Sequence, residues 1–220
     1  MQNQNFEIGD LLFSYPKSKW KIFAFIINAT TNTLSKYPAL SHVAVVESVE
    51  TLPNKKTLVV VREALGSKGV CKTEFQICQS IKGNTIKGRF EKEHLYLAQK
   101  RPEITNDEMI KMNEFFELTK DAKYHWLGIL KPLWKYFIIP YLKVRNFIKK
   151  DKPPKKIIFK RTRLEKQIEK GFLCSTFVWY MLYHIGEINY ITYVGKVPSP
   201  RHLLVYLNKT GKVKPLIKVN

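Results

Sequence analysis

The chain has 220 residues, 45% of them apolar, enough for one sizeable core and incompatible with a chain disordered throughout. Lys and Arg total 38 against 18 Asp and Glu, a formal net charge of +20 that speaks of anionic partners and not of fold. The opening MQNQNFEIGD lacks a basic start followed by an apolar stretch, so no secretory signal is expected. Three cysteines, an odd count, then read as reduced thiols of a cytoplasmic protein.

In chain order, residues 9–15 predict a first strand. Residues 18–35 mix aromatic and β-branched side chains ahead of Lys36-Tyr37-Pro38 and predict a helix leading to a turn. SHVAVV at 41–46 predicts a strand with His42 at its head. After a Pro53-Asn54-Lys55 turn, LVVVREA from Leu58 to Ala64 predicts a second, with Glu63 near its end. So short a loop implies antiparallel pairing, which brings the start of one strand beside the end of the next and makes a His42–Glu63 contact geometrically reasonable. Glycines 66, 69, 83 and 88 punctuate a region of strands and turns that contains Cys71 and Cys78. These two lack the spacing of a zinc site and are read as structural. His94–Gln99 predicts a further strand. Thr105–Asp121 opens with the helix start Thr-Asn-Asp-Glu, followed by a packing stripe of Met109, Met112, Phe116 and Leu118. Neither a GxGxxG nor a P-loop pattern occurs, and no cofactor is implied. The apolar run Phe23–Ile27 is too short to span a bilayer, and 127–148 is broken by Lys131, Pro132, Lys135, Pro140, Lys143 and Arg145.

GFLCSTFVWYMLY at 171–183 places Cys174 at the start of an apolar helix. Phe177, Val178, Met181, Leu182 and Ile185 share one face, and Gly186 is a natural stop. A cysteine in a first turn meets the positive end of the helix dipole, which favours thiolate, and the unpaired N–H groups there can hold an oxyanion. Read alone, the segment better suits a small buried residue in a core helix. Read with His42 and Glu63, it supplies a nucleophile, a base and a group to orient the base. Glu63 has a plainer alternative, a solvated ion pair with Arg62. His94, His125, His184 and His202 lack a partner pattern, and His184 falls too far along the helix to touch Cys174.

Taken together, GDLLF at 9–13, SHVAVV at 41–46, the Glu63 strand and LCSTFV at 173–178 resemble the circularly permuted papain-like hydrolases. These belong to the NlpC-type cysteine peptidase superfamily, which also holds the lecithin–retinol acyltransferases. In the permuted branch the His strand precedes the Cys helix, as here. AKYHWLG at 122–128 resembles the tyrosine-bearing segment ahead of the nucleophile, and VPSPRHLL at 197–204 a Pro-Ser turn after it. The resemblance implies an α+β fold in which an antiparallel sheet packs against the helix bearing the nucleophilic cysteine. It also implies that Tyr124 stands beside the nucleophile as an oxyanion donor; simple satisfaction of a buried hydroxyl is the alternative. Ser175 and Thr176 follow Cys174 where the acyltransferase branch tends to carry an acidic residue and a histidine, which favours the hydrolase-like branch.

Residues 1–220 are expected to form one permuted papain-like domain with a basic aromatic insertion at about 130–170, where Trp134, Tyr136, Phe137, Tyr141, Phe147 and Phe159 are interleaved with Lys and Arg. Such a segment suits peripheral contact with an anionic membrane first, single-stranded nucleic acid second, and a solvated basic face otherwise. The expected activity is that of a thiol hydrolase or acyltransferase on an amide, ester or thioester of a lipid or peptide, with Cys174, His42 and Glu63 catalytic, Tyr124 at the oxyanion, and no metal. The alternative is a non-catalytic basic module that binds membranes or nucleic acid on the same scaffold.

Overall fold

A computed structural model describes residues 5–17, 38, 40–53, 56–79, 84–125, 161–188 and 199–220. The helix expected over 18–35 and residues 130–160 of the basic insertion lie outside them. Seven strands, β1 (Leu11–Pro16), β2 (His42–Leu52), β3 (Lys56–Leu65), β4 (Gly69–Cys78), β5 (Thr85–Gly88), β6 (Glu93–Ala98) and β7 (Ile217–Lys218), form one sheet in the order β5-β4-β3-β2-β1-β6-β7. All its pairings are antiparallel. Among the described residues four helices accompany it: α1 (Asn106–Thr119), α2 (Arg161–Lys170), α3 (Cys174–His184) and α4 (Pro200–Lys209). The class is α+β, as expected.

Both faces of the central strands are buried, because side chains alternate across the pleat. Leu11, Phe13, Val43 and Val45 face one core, shared with Phe115, Phe177, Met181 and Leu204 of the helices. Leu12, Ala44, Val46, Val59 and Val61 face a second, shared with Phe75, Ile77, Ile86, Phe90, Leu95 and Leu97. Among the described residues no helix contributes to that second core; the sheet curls and covers its own inner face. One contact shows how far. Arg89, just past β5, bonds both Glu63 on β3 and Glu93 on β6. Flat, those two strands would stand three spacings, about 14 Å, apart, more than one guanidinium spans.

Local signals explain the element ends. Thr105 caps α1 in a reciprocal box, accepting from Glu108 N–H at 3.3 Å while the Glu108 carboxylate accepts from Thr105 N–H at 2.8 Å. Ser199 caps α4, accepting from His202 N–H at 3.2 Å, with Pro200 in the first turn. The expected packing stripe of α1 needs one correction. Its buried residues are Met112, Phe115, Phe116 and Thr119, whereas Leu118 is 56% exposed. Position 118 lies about 200° around the helix from Phe116, so it cannot share that face. Among the described residues no helix is long and apolar enough to cross a membrane.

Candidate active site

His42 heads β2, opposite Ser14 of β1. Glu63 sits near the end of β3, opposite Cys71 of β4. By alternation, Ser14, His42, Glu63, Cys71, Thr73 and Glu93 all belong to the inner face at one end of the sheet. There the apolar lining gives way to a charged cluster. His42 Nε2 lies 2.5 Å from Glu63 Oε2. Thr73 Oγ donates to Glu63 Oε1 at 2.5 Å, and Arg89 donates to both oxygens, Nε at 3.1 Å and Nη2 at 3.2 Å. Arg89 Nη1 also donates to Glu93 Oε1 at 2.7 Å, and Ser14 Oγ donates to Glu93 Oε2. Glu63 is wholly buried. Its neighbour Arg62 points the other way, doubly bonded to Glu47 at 2.9 and 3.0 Å and lying over the Phe116 ring. The ion-pair alternative for Glu63 therefore finds no partner in Arg62.

Because His42 opens its strand, its ring stands at the rim of the sheet, where α3 begins. Cys174 is the first residue of α3, buried, and hydrogen-bonded to His42. Leu173, the N-cap, offers no side-chain acceptor to the first-turn N–H groups of α3. Thr176 Oγ turns back instead, accepting from Leu173 N–H at 2.8 Å and donating to Leu173 C=O at 2.9 Å.

Tyr124 is delivered by a backbone clasp. Val70 N–H donates to Ala122 C=O at 2.9 Å, Phe172 N–H to Lys123 C=O at 2.8 Å, and His125 N–H to Phe172 C=O at 3.1 Å. Residues 122–125 are thus held between the start of β4 and the approach to α3. Two glycines permit this approach. A Cβ on Gly69 would stand 2.4 Å from Ala122 O and one on Gly171 only 2.2 Å from Lys123 O, and both residues have φ in the left-handed region. Tyr124 packs against the helix-side core, near enough to Cys174 to feel its charge.

The electrostatics follow from these contacts. Burial opposes the charged imidazole of His42, but the charge and hydrogen bond of Cys174, joined by Glu63, outweigh it and push the His42 pKa up to about 10. Burial likewise opposes the Glu63 carboxylate, yet His42, Arg89 and Thr73 hold its pKa down to about 2. Burial and the Cys174 charge raise Tyr124, which stays a protonated hydroxyl. Cys71 is raised by burial and then by the charge of Glu63 across the strand pair. One carboxylate therefore sustains an imidazolium on one side and suppresses a thiolate on the other.

All four residues singled out in the sequence, Cys174, His42, Glu63 and Tyr124, meet at this rim. Arg89, Thr73, Glu93 and Ser14 complete the cluster, and sequence reasoning missed them. Arg89 follows Gly88 in a turn, and in a chain with 38 basic residues one more arginine carries no signal. Of the other histidines, His184 packs tilted against Phe115, and His202 Nδ1 pairs with the capping Ser199 Oγ at 2.9 Å. Among the described residues no group of three His, Cys, Asp or Glu is arranged to hold a metal ion. No family model, curated protein or solved structure matches the chain.

Proposed function

We propose that the protein is a cysteine-nucleophile hydrolase or acyltransferase on a permuted papain-like scaffold, acting on an amide, ester or thioester bond of a lipid or peptide. The observation that carries this reading is the placement of His42, bonded through one nitrogen to buried, ionised Glu63 and to Cys174 at a helix start. A basic binding module on an inactive scaffold gains nothing from burying a carboxylate to hold an imidazole against a thiol, and an ionised group so deep costs stability unless paired.

The chemistry runs as two substitutions at one carbonyl. The Cys174 sulfur, its proton on His42, attacks the carbonyl carbon, and the C=O pair moves onto oxygen. Backbone N–H groups of the uncapped first turn of α3, with the Tyr124 hydroxyl, hold that oxyanion. The pair returns, the bond to the leaving group breaks, and His42 gives its proton to the departing nitrogen, oxygen or sulfur. An acyl thioester remains on Cys174. Water or an acceptor then loses a proton to His42, attacks the thioester and expels the Cys174 thiolate, while Glu63 keeps the ring oriented throughout.

Thiol reactivity tests the reading without a known substrate. A limiting dose of iodoacetamide near neutral pH should label Cys174 before Cys71 or Cys78, and His42→Ala should slow that labelling. Equal labelling of the three thiols in the folded protein would show that Cys174 is not a nucleophile.

A further inference from the structure

We propose that Arg89 is a positioning residue for this site: by bridging Glu63 and Glu93 it keeps Glu63 ionised and aimed at His42, and so sustains the Cys174–His42 pair. The inference rests on the cysteine-nucleophile reading and extends it to a residue in a turn of the opposite sheet edge.

The bonding pattern makes the case. Glu63 Oε2 accepts from Arg89 Nη2 and lies against His42 Nε2, while Oε1 accepts from Arg89 Nε and Thr73 Oγ. The guanidinium fork thus grips Glu63 at two points and spends its third nitrogen on Glu93. The groups around Glu63 are His42 from β2, Thr73 and the Cys71 thiol from β4, Arg89 from the turn after β5, and Glu93 from β6; Cys174 of α3 and Tyr124 lie beyond His42. The charges of Lys68 and Arg62 also reach this end, where they act against the rise at Cys71. Arg89 therefore stands as the cation between two carboxylates, Glu63 and Glu93, while His42 lies between Glu63 and Cys174. Without the charge of Arg89, the two carboxylates would face each other in a buried space, and such pairs do not both stay ionised near neutrality. The proton that one of them gains weakens the anchor of His42. A lysine cannot reproduce the fork, because it presents a point charge without a fixed plane. The guanidinium also lies over the Phe90 ring, which fixes its plane.

The experiment is the pH profile of Cys174 alkylation by iodoacetamide, read by mass spectrometry of the Cys174 peptide, with circular dichroism at each pH to stay within the folded range. The unsubstituted protein should show no inflection between about pH 5 and 7, because Glu63 titrates well below it. Arg89→Gln should introduce one, with alkylation at about pH 5 falling ~10-fold further below its pH 8 value than in the unsubstituted protein, as expected if a carboxylate pKa rises by roughly one to two units. Adding Glu93→Gln to Arg89→Gln removes the competing carboxylate and should move the inflection back towards acid. A structural filler would shift the melting temperature but not the inflection. If Arg89→Gln does not fold, the His42 ring titration followed by NMR in Arg89→Lys decides, with a fall of about one pKa unit expected. An unchanged Arg89→Gln profile with Cys174 still selectively labelled, or an unchanged His42 titration in Arg89→Lys, overturns the role of Arg89 alone. Loss of selective Cys174 labelling in the unsubstituted protein overturns both this inference and the reading beneath it.

Discussion

Two buried ionic clusters stand at opposite ends of α3, and only one of them has the makings of chemistry. Beyond its C-terminal end, Glu187 is ion-paired with Lys100 Nζ at 2.6 Å and with Lys212 Nζ at 2.8 Å, while Lys100 also reaches Glu108 at 3.3 Å and Pro102 C=O at 3.0 Å. That cluster pins the exit of β6, the first turn of α1, the end of α3 and the C-terminal segment to one point. At the N-terminal end, Glu63, Arg89 and Glu93 are as deeply paired, but the chain of contacts continues through an imidazole to a thiol. Buried charge alone is no mark of function, since pairing is what any buried charge requires. What separates the two clusters is a titratable group placed between a carboxylate and a nucleophile.

The sharpest way to break this comparison is to damage each cluster in turn. Lys100→Met leaves Glu187 short of a partner and should cost about 3–5 kcal/mol of stability, while the rate of Cys174 alkylation in the folded protein stays within about twofold of normal, since distant sites act independently. His42→Ala should do the reverse, slowing alkylation by ~100-fold, the range of a lost acid–base partner, with a smaller change in denaturation midpoint. If both substitutions move reactivity equally, the two clusters are not functionally distinct.

A second test uses acid and base. The Glu63 pKa is depressed from 4.5 to about 2, so its contribution to stability is present above the ordinary value and lost as pH falls towards 2. The His42 pKa is raised from 6.5 to about 10, so its contribution is complete below the ordinary value and lost as pH rises through 10. Urea midpoints should therefore fall on both sides of a plateau between those ordinary values. Cys174→Ala should flatten the alkaline side, because the charge of Cys174 is the first of the contributions that raise His42. An alkaline side unchanged by Cys174→Ala would mean that the thiol does not hold the charge on His42.

The smallest expected effect is at Tyr124. Tyr124→Phe keeps the ring in its place against the core and removes one oxyanion donor among several. Turnover should drop by about tenfold, at the low end for a lost donor because the backbone donors remain, with the melting temperature nearly unchanged. An unaltered rate would leave the hydroxyl a merely satisfied buried group.

How much of this was legible beforehand differs by residue. The β2–β3 hairpin and the start of α3 could be read because local spacing determines them: a short loop sets antiparallel pairing and apolar periodicity sets the helix face. His42, Glu63 and Cys174 followed. The bulge between Val46 and Ser48 could not be read, and it is this one-residue shift of register that puts His42 and Glu63 on the same face. Arg89 and Glu93 could not be read, because their partnership depends on how tightly the sheet curls, and curl is a property of the whole sheet and not of any one strand. Leu118 was misplaced for the opposite reason. Its apolar character fitted the expected stripe, but its position around the helix faces solvent.

The clasp at Tyr124 has a consequence for how this chain can vary. His125 and Phe172 are joined directly by a hydrogen bond, and Phe172 also holds Lys123. The chain therefore departs after His125 from the same spot to which it returns before Cys174. The span between His125 and Phe172, which includes α2, is a detour that begins and ends at a fixed gate, and the entropy of closing such a detour grows only slowly with its length. The distance from Tyr124 to Cys174 is kept by a few backbone bonds and two glycines, whatever the length of that detour. A lineage could thus retune what the protein touches by rewriting the detour and leave the chemistry at the rim alone.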